Sequence, residues 1–367
     1  MRRLAIACGG TGGHFYPGLS IAKAYRQKGG EVVLYIGGHH QEHQLKVARD
    51  AGFKAIPTPV IRLPRKPLQM LTFPFKFSAF TLKTMKSLKA EKIDVSLCMG
   101  SFASVPMGLA SYFKSIPLVV HEGNAMMGQA NRLLGRFAKL QALSFPLRHE
   151  LNTKCKRELV GMPIRQEIID AIDLANDPNE VGKIKSELGI SPDKLVIMVF
   201  GGSQGARAIN QAINDLIPQL SPYKDRLTFI QLTGQDDNSE LQSTYAKAGI
   251  QAIVKKQDSE IQKLYIASDN IICRSGASTL YELAALGKAP LMIPFPGAKD
   301  DHQMANAKTL VDQGAGWVIP EDKVKAELLL EKIINWLEQK STEECRKIQQ
   351  FARPDAANVM CDFLRTV

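Results

Sequence analysis

The sequence predicts an α/β protein made of two doubly wound domains, and three observations carry that prediction. The chain has 367 residues, more than a single core usually serves. Short apolar runs bounded by turns alternate with stretches of helical apolar spacing, the pattern of a parallel sheet covered by helices on both faces. The alternation also starts twice in the same way, with an apolar strand, a glycine-rich turn and a helix. Leu4–Cys8 leads into Gly9-Gly-Thr-Gly-Gly-His14, and Lys194–Phe200 leads into Gly201-Gly-Ser-Gln-Gly205.

In the first series, Leu4–Cys8, Val32–Ile36, Val95–Met99 and Leu118–Val120 read as strands. Residues near 17–28, 41–51, 103–113 and 127–137 read as helices. The second series continues from Lys194 through strands at Leu227–Leu232, Ala252–Val254, Asn270–Cys273, Leu291–Ile293 and Gly316–Ile319. The linker is placed around Val160-Gly-Met-Pro163, giving a first domain of residues 1–161 and a second of 162–346. The final segment, from about Lys347, has amphipathic helical spacing and is read as packing back on the first domain. Two such sheets place both glycine turns at the C-terminal strand edges, where open sheets bind ligands.

The stretch Arg274–Ala307 is the most informative part of the second series. The run Ile271-Ile-Cys273 stops at the turn Ser275-Gly-Ala-Ser278, and apolar residues recur at Leu280, Leu283, Ala284 and Leu286. Gly287 ends this helix and Pro290–Pro294 is a short buried-strand run. The first turn of such a helix leaves amide N–H groups unpaired and carries the positive end of the macrodipole, so a phosphate or diphosphate fits there. Glu282 is suited to accept hydrogen bonds from a vicinal diol, as a ribose carboxylate does in other nucleotide folds. The alternative is an ordinary βαβ unit whose small residues only permit close packing.

Charge and cysteine content narrow the class. Residues 1–160 hold 24 Lys/Arg against 8 Asp/Glu, whereas the remainder holds 23 against 28. This asymmetry points to an anionic partner for the first half only: nucleic acid, an anionic bilayer or a diphosphate. No helix-turn-helix, RNA-recognition signature or zinc finger accompanies the charge, so no nucleic-acid partner is expected. The six cysteines are scattered without a C-x-x-C pair and read as buried thiols in a reducing compartment. The first apolar run is too short for a signal peptide or a membrane span, so a cytoplasmic protein is expected. Residues 62–80 break the α/β pattern. They mix bulky apolar side chains with Arg62, Arg65, Lys66 and Lys76, and prolines 64, 67 and 74 suggest partial irregularity. Phe73, Phe75 and Phe77 alternate beside these cations and do not read as one helical stripe, which suits the surface of an anionic membrane.

Gly9–Gly13 invites a nicotinamide reading that fails in detail. Counted from Gly10, the third glycine position of G-x-G-x-x-G is Phe15, and the second strand ends Ile36-Gly37-Gly38 without a ribose acid. There is no Walker lysine motif. His14 leaves the turn where a ligand would lie, and His121-Glu-Gly-Asn124 offers an imidazole, a carboxylate and an amide at another strand edge. Either His14 or Glu122 is a candidate base for a hydroxyl nucleophile. No D-x-D and no His/Asp cluster of ligand spacing occurs, so neither an active-site metal nor a cofactor is expected.

Taken together the motifs become specific. Gly9-Gly-Thr-Gly-Gly-His14 with Pro17-Gly18, His121-Glu-x-Asn124, Gly161-x-Pro-x-Arg165, Gly201-Gly-Ser-Gln-Gly-Ala206, Arg274-Ser-Gly-Ala277 and Asp301-His-Gln303 with Asn306 resemble the MurG family. That family comprises the membrane-associated N-acetylglucosaminyltransferases of peptidoglycan synthesis. The resemblance implies a GT-B fold, two Rossmann-like domains facing across a cleft. It implies inverting transfer of GlcNAc from UDP-GlcNAc to the MurNAc 4-hydroxyl of undecaprenyl-diphospho-MurNAc-pentapeptide (lipid I), forming lipid II. It further implies a peripheral enzyme on the cytoplasmic side of the inner membrane, docked through residues 62–80.

Position by position, the resemblance places Thr11, Gly12 and Gly13 at the donor sugar and diphosphate, Asn124 on the GlcNAc and Arg165 on the nucleotide. Ser203, Ser278, Thr279 and Leu280 would lie near the diphosphate, Asp258 near the uracil, Glu282 on the ribose and Gln303 on the GlcNAc. His14 matches the family's loop histidine, a base or acceptor-positioning group. Gly123 stands where the family usually has Gln, Ser101-Phe102 where Gly-Tyr is common, and the loop from Pro294 to Gln303 carries local changes. Competing readings are a glycolipid synthase acting on diacylglycerol, a UDP-GlcNAc 2-epimerase, and a basic nucleotide- or nucleic-acid-binding module.

Overall fold

The computed structural model describes residues 2–38, 40–59, 67–149, 155–202, 205–235 and 239–367, with the helix residues 67–69 described by backbone alone. The chain forms two compact units, Met1–Arg165 with Arg353–Val367, and Gln166–Ala352.

The first unit is a seven-stranded sheet of order β3-β2-β1-β4-β5-β6-β7. Its strands are β1 (Arg3–Ala7), β2 (Glu31–Ile36), β3 (Lys54–Pro57), β4 (Val95–Cys98), β5 (Leu118–Glu122), β6 (Leu140–Leu143) and β7 (Lys156–Leu159). Every pairing is parallel. The helices between them are α1 (Gly12–Gln27), α2 (Gln41–Asp50), α3 (Pro67–Ala90), α4 (Val105–Phe113) and α5 (Gln129–Leu134). One face of β1 presents Leu4 and Ile6 to Phe15, Leu19 and Ile21 of α1; the other presents Ala5 and Ala7 to Leu88, Val105 and Leu134. Period-two alternation with both faces apolar is what a doubly covered strand requires.

The second unit has a six-stranded sheet of order β10-β9-β8-β11-β12-β13, again parallel throughout. The strands are β8 (Leu195–Phe200), β9 (Leu227–Leu232), β10 (Gln251–Lys255), β11 (Asn270–Cys273), β12 (Pro290–Met292) and β13 (Trp317–Val318). Its core joins Ile197, Val199, Phe229 and Ile272 to Ile209, Ile213, Leu329, Ile333 and Trp336 from the covering helices.

Several elements differ from the sequence reading. Strands β3, β6 and β7 have no clear apolar alternation; β7 (KREL) is an edge strand with only one neighbour, so its pattern is weak. Helix α1 begins at Gly12, five residues before the expected start, with Pro17 inside it; the proline forgoes only a bond to the carbonyl of Gly13, in the first, exposed turn. The first unit extends to Arg165, because Val160, Met162 and Ile164 are buried there. The C-terminal segment is two helices: Thr342–Gln349 belongs to the second unit, and Ala356–Thr366 packs on α1. Met360, Cys361 and Leu364 complete the α1 core, and Lys28 pairs with Asp362 at 2.5 Å.

Within residues 62–80, positions 60–66 lie outside the described residues, and from Pro67 the chain is regular helix. Proline at the first helical position costs nothing, since that N–H has no partner in the helix. Phe73 and Phe77, four apart, stack at 5.7 Å and both approach Phe102. Leu71, Phe75 and Leu82 share the opposite face and are 70%, 76% and 56% exposed. The alternation in sequence is therefore a helix with an inward pair and an outward apolar stripe.

Candidate active site

In the first unit the strand order reverses between β1 and β4, and in the second between β8 and β11. At such a switch point the loops leaving the two strands diverge and open a crevice at the C-terminal sheet edge. Gly9–Gly13 lies there after β1, and Gly201, Gly202 and Gly205 lie there after β8.

In the first unit, Gly9 and Gly10 pack backbone to backbone against Gly37 and Gly38 at the exit of β2. A Cβ on Gly9 would come within 2.4 Å of Gly37 O, and one on Gly38 within 2.3 Å of Gly10 Cα. This contact fills the place where a dinucleotide fold holds its ribose acid. Thr11 precedes α1, and its Oγ1 lies 3.0 Å from His14 Nδ1. The far edge of the imidazole adjoins Gly100 at the exit of β4, where a Cβ would meet Nε2 at 3.1 Å. Gly100 has φ of +100°, so both backbone and space call for glycine. Ser101 follows at φ +66°, a conformation that strains a residue with a side chain.

His121 and Glu122 are the last two residues of β5, inside the strand, and are 1% and 3% exposed. His121 Nε2 lies 3.3 Å from Gly161 O and 3.2 Å from Ser144 Oγ. Burial holds its pKa down at about 4, against the Gly161 bond, so the ring is neutral at pH 7. Glu122 Oε1 accepts from Asn124 N (3.0 Å) and Asn124 Nδ2 (3.3 Å). Its Oε2 accepts from Gly128 N (2.9 Å) and Asn131 Nδ2 (2.8 Å). Burial pushes this carboxyl above the usual range while the donors pull it back. With four donors committed, Glu122 anchors the loop bearing Asn124. Asn131, which the sequence reading missed, also donates to His121 O at 3.0 Å.

In the second unit the helix Ala277–Ala285 starts after β11 at Gly276, with no side-chain cap. Leu280 N donates to Gly276 O at 3.0 Å, so the amide of Leu280 is already spent and the amides of 277–279 are those left to a ligand. Ser278 Oγ is buried and has no hydrogen-bond partner among the described residues. Glu282 lies farther along the helix, 6% exposed, with Tyr265 OH 3.5 Å from its Oε2. Gln303 belongs to the helix His302–Val311; its Oε1 accepts from Phe295 N at 2.9 Å and its backbone carbonyl from Ser275 Oγ at 2.8 Å. Asp258 Oδ2 takes Lys255 Nζ at 2.7 Å and Oδ1 takes Glu260 N at 2.8 Å. Burial would raise the Asp258 pKa, but Lys255 and the Glu260 amide outweigh it and hold it below the usual range. Asp258 is thereby tied locally. Ser203 lies outside the described residues.

The structure thus gathers Thr11, Gly12, Gly13, His14, Glu122 and Asn124 at one sheet edge of the first unit, and Ser278, Thr279 and Glu282 with Gln303 at the corresponding edge of the second. Arg165, half-buried, ends the first unit before the crossing to Gln166. Among the described residues there is no cluster of three or more His, Cys, Asp or Glu able to hold a metal ion.

Two parallel doubly wound sheets, each with glycines at its switch point, define the GT-B fold. Residues 4–142 match the glycosyltransferase family 28 N-terminal domain and residues 196–360 its C-terminal domain. The chain is 32% identical to a UDP-N-acetylglucosamine–N-acetylmuramyl-(pentapeptide) pyrophosphoryl-undecaprenol N-acetylglucosamine transferase of Myxococcus xanthus, covering 99% of this chain and 92% of that protein. It superposes on the crystal structure of MurG from Acinetobacter baumannii with a TM-score of 0.79 and 28% identity over the whole of both chains. A UDP-GlcNAc 2-epimerase from Neisseria meningitidis shares the fold alone, at 14% identity and a TM-score of 0.69 over the whole of both chains. This chain belongs to the MurG family of N-acetylglucosaminyltransferases.

Proposed function

We propose that this protein transfers GlcNAc from UDP-GlcNAc to the MurNAc 4-hydroxyl of lipid I, with inversion, giving lipid II. The observation that carries the reading is a glycine turn at the switch point of each unit, the first delivering His14, with an uncapped helix start after β11 in the second. In this reading the amides of residues 277–279 and the Ser278 hydroxyl take the diphosphate, Glu282 the ribose hydroxyls, and Gln303 and Asn124 the sugar. As the C1–O bond to UDP breaks, negative charge grows on the diphosphate, and fixed N–H dipoles already aimed there stabilise it without reorganising. In the tautomer that donates Nδ1–H to Thr11 Oγ1, 3.0 Å away, His14 Nε2 takes the proton from the attacking hydroxyl. Glu122 and Asn131 hold the Asn124 loop in place.

The acceptor is a lipid, and the outward stripe Leu71, Phe75 and Leu82 on α3, with Lys76, Lys83, Lys86 and Lys89 on the same helix, supports docking to an anionic membrane surface. Among the described residues no helix is long and apolar enough to cross a membrane, which fits a peripheral enzyme on the cytoplasmic face of the inner membrane. This stripe favours a lipid acceptor over the epimerase reading.

The test is UDP release from UDP-GlcNAc with a lipid I analogue and, separately, with diacylglycerol, EDTA being present. Release that requires the lipid I analogue and survives EDTA is expected. Release with diacylglycerol alone would move the protein to glycolipid synthesis, and loss of activity in EDTA would overturn the metal-independent reading. Phe75→Ser should weaken sedimentation with phosphatidylglycerol vesicles while leaving UDP binding intact.

A further inference from the structure

Arg274 is the first residue after β11 and only 9% exposed. Its Nη1 donates to Ile293 O at 3.0 Å and to Pro294 O at 3.2 Å, the two carbonyls at the exit of β12. Its Nη2 forms an ion pair with Glu321, which follows β13. The guanidinium also lies 5.4 Å from the Phe295 ring centroid. One buried cation thus ties together the C-terminal ends of three neighbouring strands, and Glu321 is the carboxylate that neutralises it. A buried charge is tolerated only when paired.

The next residue along this tie reaches Gln303. The amide of Phe295, directly after the two carbonyls that Arg274 holds, donates to Gln303 Oε1. This bond fixes which end of the carbamoyl group faces the Phe295 backbone and leaves the NH2 at the other end to donate to a ligand. The opposite end of Gln303 is fixed by Ser275 Oγ on its carbonyl, and Asn306 Nδ2 in turn holds Ser275 O at 3.1 Å. The loop between 295 and 303 contains Asp300 and Asp301 at φ +54° and +51°, so it is strained and needs anchoring at both ends. Moving the Phe295 amide releases Oε1 and lets the side chain present either of its ends.

We propose that Glu321, acting through Arg274, is a positioning residue that fixes the Gln303 amide as a hydrogen-bond donor and thereby sets the enzyme's discrimination between epimeric sugar nucleotides. This rests on the reading that the second unit binds UDP-GlcNAc. Glu321 does not touch the sugar; it decides which end of Gln303 does.

The experiment compares wild type, Glu321→Gln and Glu321→Asp as full-length proteins, with UDP, UDP-GlcNAc and the C4 epimer UDP-GalNAc titrated calorimetrically. Expected for Glu321→Gln is UDP affinity within about twofold of wild type, with the preference for UDP-GlcNAc over UDP-GalNAc reduced about tenfold, the worth of one hydrogen bond. Glu321→Asp keeps the charge and should restore most of the preference. Arg274→Lys, which keeps the charge but lacks the fork needed for both carbonyls, should lose it, and serves if Glu321→Gln fails to bind UDP. Wild-type discrimination in Glu321→Gln or in Arg274→Lys would overturn the proposal. Failure of the wild-type protein to bind UDP-GlcNAc would overturn the donor-site reading itself, a separate outcome.

Discussion

Glu122→Gln separates an anchor from a base. The substitution keeps the shape of the side chain and turns one oxygen into an NH2 group that cannot accept. Whichever oxygen is replaced, two buried donors lose their acceptor: Asn124 N and Nδ2 at one, Gly128 N and Asn131 Nδ2 at the other. At about 1–3 kcal/mol for each buried donor left unpaired, the loss is about 2–6 kcal/mol. Removing a desolvated charge that burial already disfavours returns part of this, so about 2–3 kcal/mol is expected. For a unit of this size that is a fall in Tm of roughly 4–12 °C. The transition of the first unit should be followed by hydrogen exchange over residues 122–131, because a two-unit chain need not melt in one step. The donor KM should rise as the Asn124 loop loosens, while the acidic limb of the pH–rate profile, which reports the general base, stays in place. An unchanged Tm together with loss of that limb would refute the reasoning and put the transferred proton on Glu122.

Three further outcomes are expected. His14→Ala should lower kcat by about 10²–10⁴-fold, the usual worth of a general base, with UDP-GlcNAc affinity little changed; wild-type turnover would remove His14 from the chemistry. Glu282→Ala should weaken donor binding by about 1–3 kcal/mol, read as a raised KM for UDP-GlcNAc, and an unaltered KM would count against the ribose role. His121 has its folded pKa lowered from 6.5 to about 4, so the stability it contributes is complete above pH 6.5 and is lost as pH falls toward 4. That loss amounts to about 3 kcal/mol. Glu122 titrates in the opposite sense, its raised carboxyl making the fold less stable as pH rises. The quantity to read is therefore the difference between wild type and His121→Gln in denaturant titrations from pH 7 to 4, and parallel curves would contradict this account.

Much of the architecture was legible in the residues. Strands buried on both faces need continuous apolar runs, so β1, β2, β8 and β9 stood out, and turns that must bring backbone close to a ligand need glycine, so both switch-point loops did too. The order of motifs carried the family. Short or one-sided strands escaped notice, because β3, β6 and β7 have few positions in which to show a pattern. The aromatic alternation at 73–77 misled, since a run of three residues cannot separate a period of 2 from one of 3.6.

Amino-acid types and spacing alone determined which chemistry was present: a histidine after a glycine turn, a carboxylate in a helix, an amide after a strand. Only the tertiary structure decided which neighbours hold each of these groups. Glu122 and Asp258 read alike in sequence, yet the first accepts from four donors and the second from a lysine and an amide. The donors to Glu122 come from as far as Asn131, and Arg274 meets Glu321 across forty-seven positions of chain. Hydrogen-bond capacity is used up by neighbours in space, and a linear sequence does not contain those neighbours until the sheet has assembled.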